Sequence, residues 1–551
     1  MPRMKRLLPS LIFLSALALR LWGIRWGLPN ADHTFSYHTD ETVVLISSLA
    51  VHPLLFLLDP GYYAYGCLVP ITNGLVLDLG TWTHLLTPRP DSASALLACR
   101  LVTAVLGAAT CGVLLATGKR LWGEASGFAA GAVYAVAPLA VQHAHFATVD
   151  VHATFWVSLC LLQTSKILGT HPPAPSLGLY PAPQGRGKGS NFRPLLWAGA
   201  FAGLAAAAKY NAGVVLLAPL AASFLEPIPR LASSSPPSLR QGRGKGGWVL
   251  LAALAGFVAG CPAVILNPSG LFAGLANEAR ISRTDHGGIF AGLPTAYLTQ
   301  VLQSFWTMGM FLPFVVVVAL VAALVRRKPA DLALLAFIVP YFVMIGLSKA
   351  MYARYALPLF PPLFLLVGAL AATEKRAGLV RGALAFSAIP SVALALWLNL
   401  EFSTPDTRDR ALVWIRAQNF KKIGFATGPW HYHPPLVPGL THPQPAKAKE
   451  AAAASGFLVP ADGEWNVEQL KTENPDAVIL SEAEYARTDD NANRIGFLSF
   501  LRRKDEDGKR VMDFRVWSRR SAIGIRDLPH TPSLPYDMGY VSPSIVVLFR
   551  R

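Results

Sequence analysis

The chain is built from a long succession of apolar segments. Leu7 to Leu21 is the first, and others follow near 63–86, 94–117, 126–142, 151–168, 195–208, 212–225, 248–266, 296–325, 330–347, 355–372 and 380–399. Several approach the roughly 17–20 residues a helix needs to cross the hydrocarbon of a bilayer. Burial inside a soluble fold cannot absorb this many. Of the 551 residues 53% are hydrophobic and 15% charged, whereas soluble domains carry about a quarter charged residues. With a mean hydropathy of +0.40, this excludes a soluble enzyme, a disordered chain and a secreted disulfide scaffold. The fold class expected is a polytopic α-helical membrane protein.

Lys and Arg exceed Asp and Glu by 49 to 32, a net charge of +17. In a membrane chain such an excess belongs to cytoplasmic loops and gives no reason to expect nucleic acid. It also fixes a topology. The run at 63–86 contains Pro70, Asn73 and Asp78. If that run lies along the outer interface, Lys119-Arg120, the basic loops at 169–194 and 226–247, Arg326-Arg327-Lys328 and Lys375-Arg376 share one side with Arg3, Lys5 and Arg6. The positive-inside rule then gives about eleven spans, N-terminus in and C-terminus out. Residues 28–93 become a first external loop with interfacial helices. The repeated string Gln-Gly-Arg-Gly-Lys-Gly, at 184–189 and 241–246, lacks the Ser or Thr of a phosphate-binding loop and reads as a flexible basic insertion.

Residues 1–400 thus form a membrane domain, and 401–551 change character. Helix signals at Ala411–Gln418 and Val467–Glu473 alternate with strand signals at 422–427, 476–480 and 544–549. That alternation predicts a small α/β domain outside the membrane. The five cysteines, Cys67, Cys99, Cys111, Cys160 and Cys261, show no paired spacing, so neither a disulfide framework nor a zinc site is expected.

Ionisable residues retained near membrane depth are functional candidates, and the topology gathers one set on the outer face. It holds His38, Asp40 and Glu41, the string from His143 through His145 and Asp150 to His152, Lys209-Tyr210-Asn211, and Lys349, Arg354 and Tyr355, with Asp285 and His286 in a further loop. Carboxylates, histidines and cations on one surface suit transfer of a sugar from a lipid phosphate. That reaction needs a base for the incoming hydroxyl and cations for the departing phosphate. Asp40 or Asp150 would accept the proton, and Lys209, Arg354 and Lys349 would hold the phosphate, Arg offering the bidentate grip. Structural roles compete: Asp40-Glu41 and Asp150 as helix caps, Lys209 snorkelling, Arg354 as an interfacial anchor. His431-Tyr432-His433, beside two prolines, reads as a structured loop rather than a metal motif.

At these residues the sequence resembles the lipid-carrier-dependent glycosyltransferases of GT-C fold, and within them glycosyltransferase family 39, which includes protein O-mannosyltransferases and lipid A aminoarabinose transferases. The resemblance covers 1–400. Asp40-Glu41 looks like the family's acidic pair in the first external loop, Tyr62 to Pro70 like its aromatic amphipathic segment, and Asp150 like its acid at the start of span four. Gly203 through Asn211 is similar to its Gly/Ala-rich span ending in Lys, and Arg354-Tyr355-Ala356-Leu357-Pro358 to its late Arg-Tyr-x-x-Pro element. The region from Asp406 onward does not resemble the mannosyltransferases' accessory domain. The resemblance implies a polyprenyl-phosphate sugar donor, an outward-facing site in a bacterial inner membrane and inversion at the anomeric carbon. It gives Asp40 the base or acceptor-contacting role, with Glu41 and Asp150 supporting the acceptor or a divalent metal. His38, His145, His152, Tyr210 and Tyr355 would support the acceptor, and Asp40, Asp150 and His152 are the candidate metal set. The rival expectations are a transporter of a lipid-linked saccharide and an inactive relative acting as a scaffold.

Overall fold

A computed structural model describes residues 2–87, 92–169, 192–225, 239–284, 289–290, 292–372, 377–437, 445–460, 466–485, 492–501, 512–518 and 534–550. Much of both basic loops, Lys375-Arg376, Asp285 and His286 fall outside them. Helix α1 (Pro2–Leu21) opens the chain, and the segment that follows carries α2 (Thr39–Leu49) and α3 (Leu68–Trp82). The bundle continues through α4 (Ser92–Trp122), α5 (Glu124–Val136), α6 (Pro138–His143), α7 (Val149–Ile167), α8 (Arg193–Ala208), α9 (Leu217–Leu225) and α10 (Leu239–Gly260). Then come α11 (Ala263–Leu266), α12 (Pro268–Ile281), α13 (Ala296–Thr307), α14 (Leu312–Arg326), α15 (Pro329–Gly346), α16 (Phe360–Ala371) and α17 (Ala377–Phe402).

Among the described residues, α4, α15, the stretch Ala353–Ala371 and the stretch beginning with α17 are long and apolar enough to cross a membrane, and shorter apolar helices accompany them. The chain is an integral membrane protein. Two readings of the sequence change. The apolar run 296–325 is not one helix: it breaks after Thr307, where Gly309 takes φ +99 against Ser391. The string 241–246 is not a loop but part of α10.

Small residues bring the helices close. A Cβ on Gly203 of α8 would stand 2.1 Å from the Ala253 carbonyl of α10, so the two backbones touch where any larger side chain would part them. Arg20 of α1 is fully buried and is held by the carbonyls of Ala16, Tyr134 and Ala135. The interfacial segment before α3 is pinned in the same way. A Cβ on Gly66 would fall 1.8 Å from the Ala207 carbonyl, and the Tyr210 hydroxyl donates to the carbonyls of Tyr63 and Tyr65 at 3.0 and 2.9 Å.

After α17 the chain forms α18 (Thr407–Ala417), α19 (Pro445–Ala454), α20 (Val467–Glu473), α21 (Glu482–Tyr485) and α22 (Ala492–Leu501) around a four-stranded sheet. The strands β1 (Ile423–Phe425), β2 (Ala477–Ser481), β3 (Asp513–Trp517) and β4 (Ile545–Phe549) lie in the order β1-β2-β4-β3, with β1 and β2 parallel and the other pairings antiparallel. The expected helix and strand sites are occupied; β3 was not expected. β2 is buried throughout, as a central strand with helices on its faces must be.

This sheet domain docks on the segment between α1 and α2. Trp26 Nε1 donates to Asp406 at 3.1 Å, Tyr37 donates to Asp409, and the Arg408 guanidinium lies 3.8 Å above the Tyr37 ring. His431 joins the dock through a 2.9 Å bond to the Ser36 carbonyl, while His433 pairs with Glu484 at 2.9 Å. Both ends of the His-Tyr-His string are therefore structural.

Burial works to raise the Glu484 carboxyl, but His433 and Thr427 outweigh it and hold it below its ordinary 4.5. A carboxyl depressed on folding contributes stability above its unfolded value and loses it as pH falls through the folded one. The domain's melting temperature is therefore expected to drop below pH 4.5, and Glu484→Gln to flatten that acid limb. An identical limb in wild type and variant, read by thermal unfolding against pH, contradicts the pairing.

Candidate functional site

Four segments deliver charged groups to one place: the N-terminus of α2, the start of α7, the residue ending α8 and a 3-10 turn at Ala353–Leu359. His38 caps α2, its Nδ1 accepting from the Asp40 N–H at 3.3 Å. Asp40 then meets Arg354, Nη2 to Oδ2, at 2.9 Å, and the Tyr65 hydroxyl reaches the same oxygen at 3.4 Å. The Asp40 side chain is 20% exposed and that of Arg354 only 7%. Arg354 Nη1 is buried with no hydrogen-bond partner among the described residues. Its guanidinium lies 4.3 Å from the centre of the Tyr352 ring.

Asp150, in the first turn of α7, pairs with Lys209 at 2.6 Å, both side chains nearly inaccessible. The Lys209 ammonium stands 4.7 Å from the centre of the Tyr355 ring, a cation–π contact. Arg354 interacts electrostatically with Asp40 and Asp150 alike, so the two ion pairs form one group. Glu278 of α12 borders it: burial raises its carboxyl, Lys209 opposes that, and Asp40 adds to it.

Asp40, Asp150, Lys209, Arg354 and Tyr355 thus converge, with His38 adjoining. Burial pushes the His38 imidazole well below its ordinary 6.5. With Nδ1 accepting, the neutral ring carries its proton on Nε2, and that atom has no partner among the described residues.

Other expected residues lie elsewhere. Glu41 is fully buried and faces the bundle: Arg100 of α4 grips it twice, at 2.8 and 2.6 Å, and Ser36 and the Ala147 N–H complete it at 2.5 and 2.6 Å. Burial would lift this carboxyl, but Arg100 outweighs it and holds it below its ordinary value. His145 bonds the carbonyls of Val141 and Trp22 and stacks on Phe402, an interior packing role. His152 sits on the opposite side of α7 from Asp150, about 200° around the helix, and bonds Thr103 at 3.3 Å. Lys349 is exposed, its backbone N–H donating to Ser282. Tyr210 holds the Tyr63–Tyr65 backbone instead of facing an acceptor.

The metal set is therefore not assembled. Asp40 and Asp150 are each engaged by a cation, His152 is turned away, and among the described residues no three His, Cys, Asp or Glu side chains gather as ligands.

Two contributors carried no signal in the sequence reading. Asp537, from the loop before β4, is fully buried and accepts the backbone N–H groups of Ala353 and Arg354 at 3.1 and 2.8 Å. Gln142 donates to the Asp537 carbonyl at 3.0 Å, and His143 lies 4.0 Å from its carboxylate. Tyr540 of the same loop packs edge-on against His38. The sheet domain thus reaches into the membrane domain and seats the turn that presents Arg354.

No protein-family model matches the chain, and no curated protein matches it. Among solved structures it is similar to the oligosaccharyltransferase of Archaeoglobus fulgidus in its apo form, at 12% identity and a TM-score of 0.49 over 88% of this chain and 70% of that one. It is similar also to ArnT from Cupriavidus metallidurans bound to undecaprenyl phosphate, at 14% identity and a TM-score of 0.48 over 98% and 97% of the two chains. The archaeal AglB in complex with an inhibitory peptide and a dolichol-phosphate gives 12%, 0.47, 87% and 69%. Likeness at this level assigns no function, and the chemistry rests on the side chains above.

Proposed function

We propose that this protein is a membrane glycosyltransferase of GT-C type, moving a sugar from a polyprenyl-phosphate donor to an acceptor hydroxyl outside the cytoplasm. The observation that carries the reading is Arg354. It offers one nitrogen to Asp40 and keeps a second buried and unpartnered. An unsatisfied buried guanidinium N–H costs free energy, and a phosphate oxygen would satisfy it.

In this mechanism Asp40, the more accessible of the two acids, accepts the proton of the acceptor hydroxyl. The hydroxyl oxygen bonds to the anomeric carbon on the face opposite the phosphate. The bond from that carbon to the phosphate oxygen breaks, and the electron pair leaves on the polyprenyl phosphate. Arg354 and Lys209 stabilise the charge that develops there. The leaving phosphate is a weak base and needs no strong general acid. Attack from the opposite face inverts the anomeric centre. Asp150 holds Lys209 in place and His38 offers its Nε2 hydrogen to the acceptor. The lipid tail lies in the bilayer; retention of the basic loops by the cytoplasm supports an outward-facing site, and the resemblance to family 39 supports a bacterial inner membrane.

Purified protein given a panel of polyprenyl-phosphate sugars is expected to turn over or slowly hydrolyse at least one. Arg354→Lys keeps the charge and loses the planar fork. One charge-assisted hydrogen bond is worth about 1.5–3 kcal/mol, so kcat/KM for the donor is expected to fall roughly 10- to 150-fold. Unchanged kinetics in that variant, or a wild-type protein that binds the donors and turns none over, overturns the assignment.

A further inference from the structure

We propose that Cys67 and Cys261 form a disulfide in the mature protein. Their Sγ atoms stand 3.0 Å apart, both side chains fully buried, although 194 residues separate them in sequence. A disulfide bond is about 2.05 Å long, so roughly 1 Å of approach closes it. The surroundings hold the sulfurs in place. Cys67 precedes α3 and Cys261 follows α10, in one apolar cluster with Tyr63, Ala207, Ala263 and Leu271. Gly66, the neighbour of Cys67, lies against Ala207 without room for a side chain. Nearby, Asn267 donates to the Tyr63 hydroxyl at 3.0 Å. This packing encloses both sulfurs.

The redox setting follows from the outward orientation proposed above, on which this inference rests. Both residues lie at the end of the bundle that carries Lys209 and Tyr210, and disulfides persist outside the cytoplasm. The oxidant is a disulfide-bearing thiol oxidoreductase acting before the cluster closes. One cysteine thiolate attacks the donor's disulfide to give a mixed disulfide. The second thiolate then attacks the first cysteine's sulfur and expels the donor's thiolate. Two thiols are oxidised, the donor disulfide is reduced to a dithiol, and the two protons leave with it.

The bond would staple the aromatic segment before α3, whose Tyr65 hydroxyl reaches Asp40, to the junction of α10 and α11. It would limit the movement of that segment without touching the reacting groups, and it would constrain the unfolded chain over a long loop.

The test is differential alkylation of the full-length protein, denatured in N-ethylmaleimide directly from membranes and analysed by mass spectrometry. Cys99, Cys111 and Cys160, buried in α4 and α7, should be alkylated at once. Cys67 and Cys261 should be protected until reductant is added, with a cross-linked peptide two hydrogens lighter than the sum of its parts. Alkylation of all five without reductant overturns the proposal. A Lys349→Cys variant lacking Cys67 and Cys261, exposed to a membrane-impermeant maleimide, reports the orientation separately. Labelling of intact cells supports the oxidising setting, and labelling only after lysis overturns the orientation. Cys67→Ser and Cys261→Ser should each melt several degrees below wild type without reductant, and at the wild-type temperature with it. An equal difference under both conditions marks a packing effect and counts against the bond.

Discussion

Asp40→Asn is expected to abolish most sugar transfer while leaving the donor bound. A positioned general base contributes about 10²–10⁴-fold to rate, and kcat should fall by that factor. The asparagine keeps the size of the side chain and loses only the capacity to accept the proton. Arg354, relieved of its carboxylate partner, should hold the donor phosphate at least as well as before. Turnover and equilibrium binding of a labelled polyprenyl-phosphate sugar read the two effects apart. Undiminished transfer removes Asp40 from the mechanism. Transfer and binding lost together would make it a structural acid like its neighbour.

That neighbour provides the second large effect. Glu41→Gln leaves Arg100 charged in a fully buried position with its anionic partner gone. Breaking one half of such a pair costs about 3–5 kcal/mol. The variant should melt well below wild type in detergent and be recovered in lower yield, while the fraction that folds keeps nearly normal kcat. The two adjacent acids thus predict opposite signatures, one kinetic and one thermodynamic. A Glu41→Gln protein of normal stability and negligible turnover would reverse the assignment of the pair.

The sequence made this contrast only half legible. It placed Asp40 and Glu41 together at a helix start in an external loop, because residue type and order carry that information. It could not say which of two successive side chains faces inward. That is decided by Arg100, which interrupts the apolar run at 94–117, an intramembrane charge in need of a partner. Helical rotation likewise separated Asp150 from His152, which two residues of spacing place on different faces. Lys209 and Arg354 were legible from their places at the ends of apolar stretches. Lys349, a few residues earlier, shares the same composition but lies on an exposed loop. The α/β region emerged from its alternation of patterns, apart from β3, whose mostly exposed strand lacks an apolar run. Asp537 had no local signature, because its partners at Ala353 and Arg354 lie some 184 residues away.

Asp537 also bears on when the protein becomes competent. Its carboxylate seats the turn presenting Arg354, and it leaves the ribosome 183 residues after that arginine. Helices inserted earlier would wait, with their cation unseated, until that late loop folds back onto them. Cleavage of the chain ahead of Asp537 is therefore expected to unseat Arg354 and silence turnover while leaving the helical bundle folded.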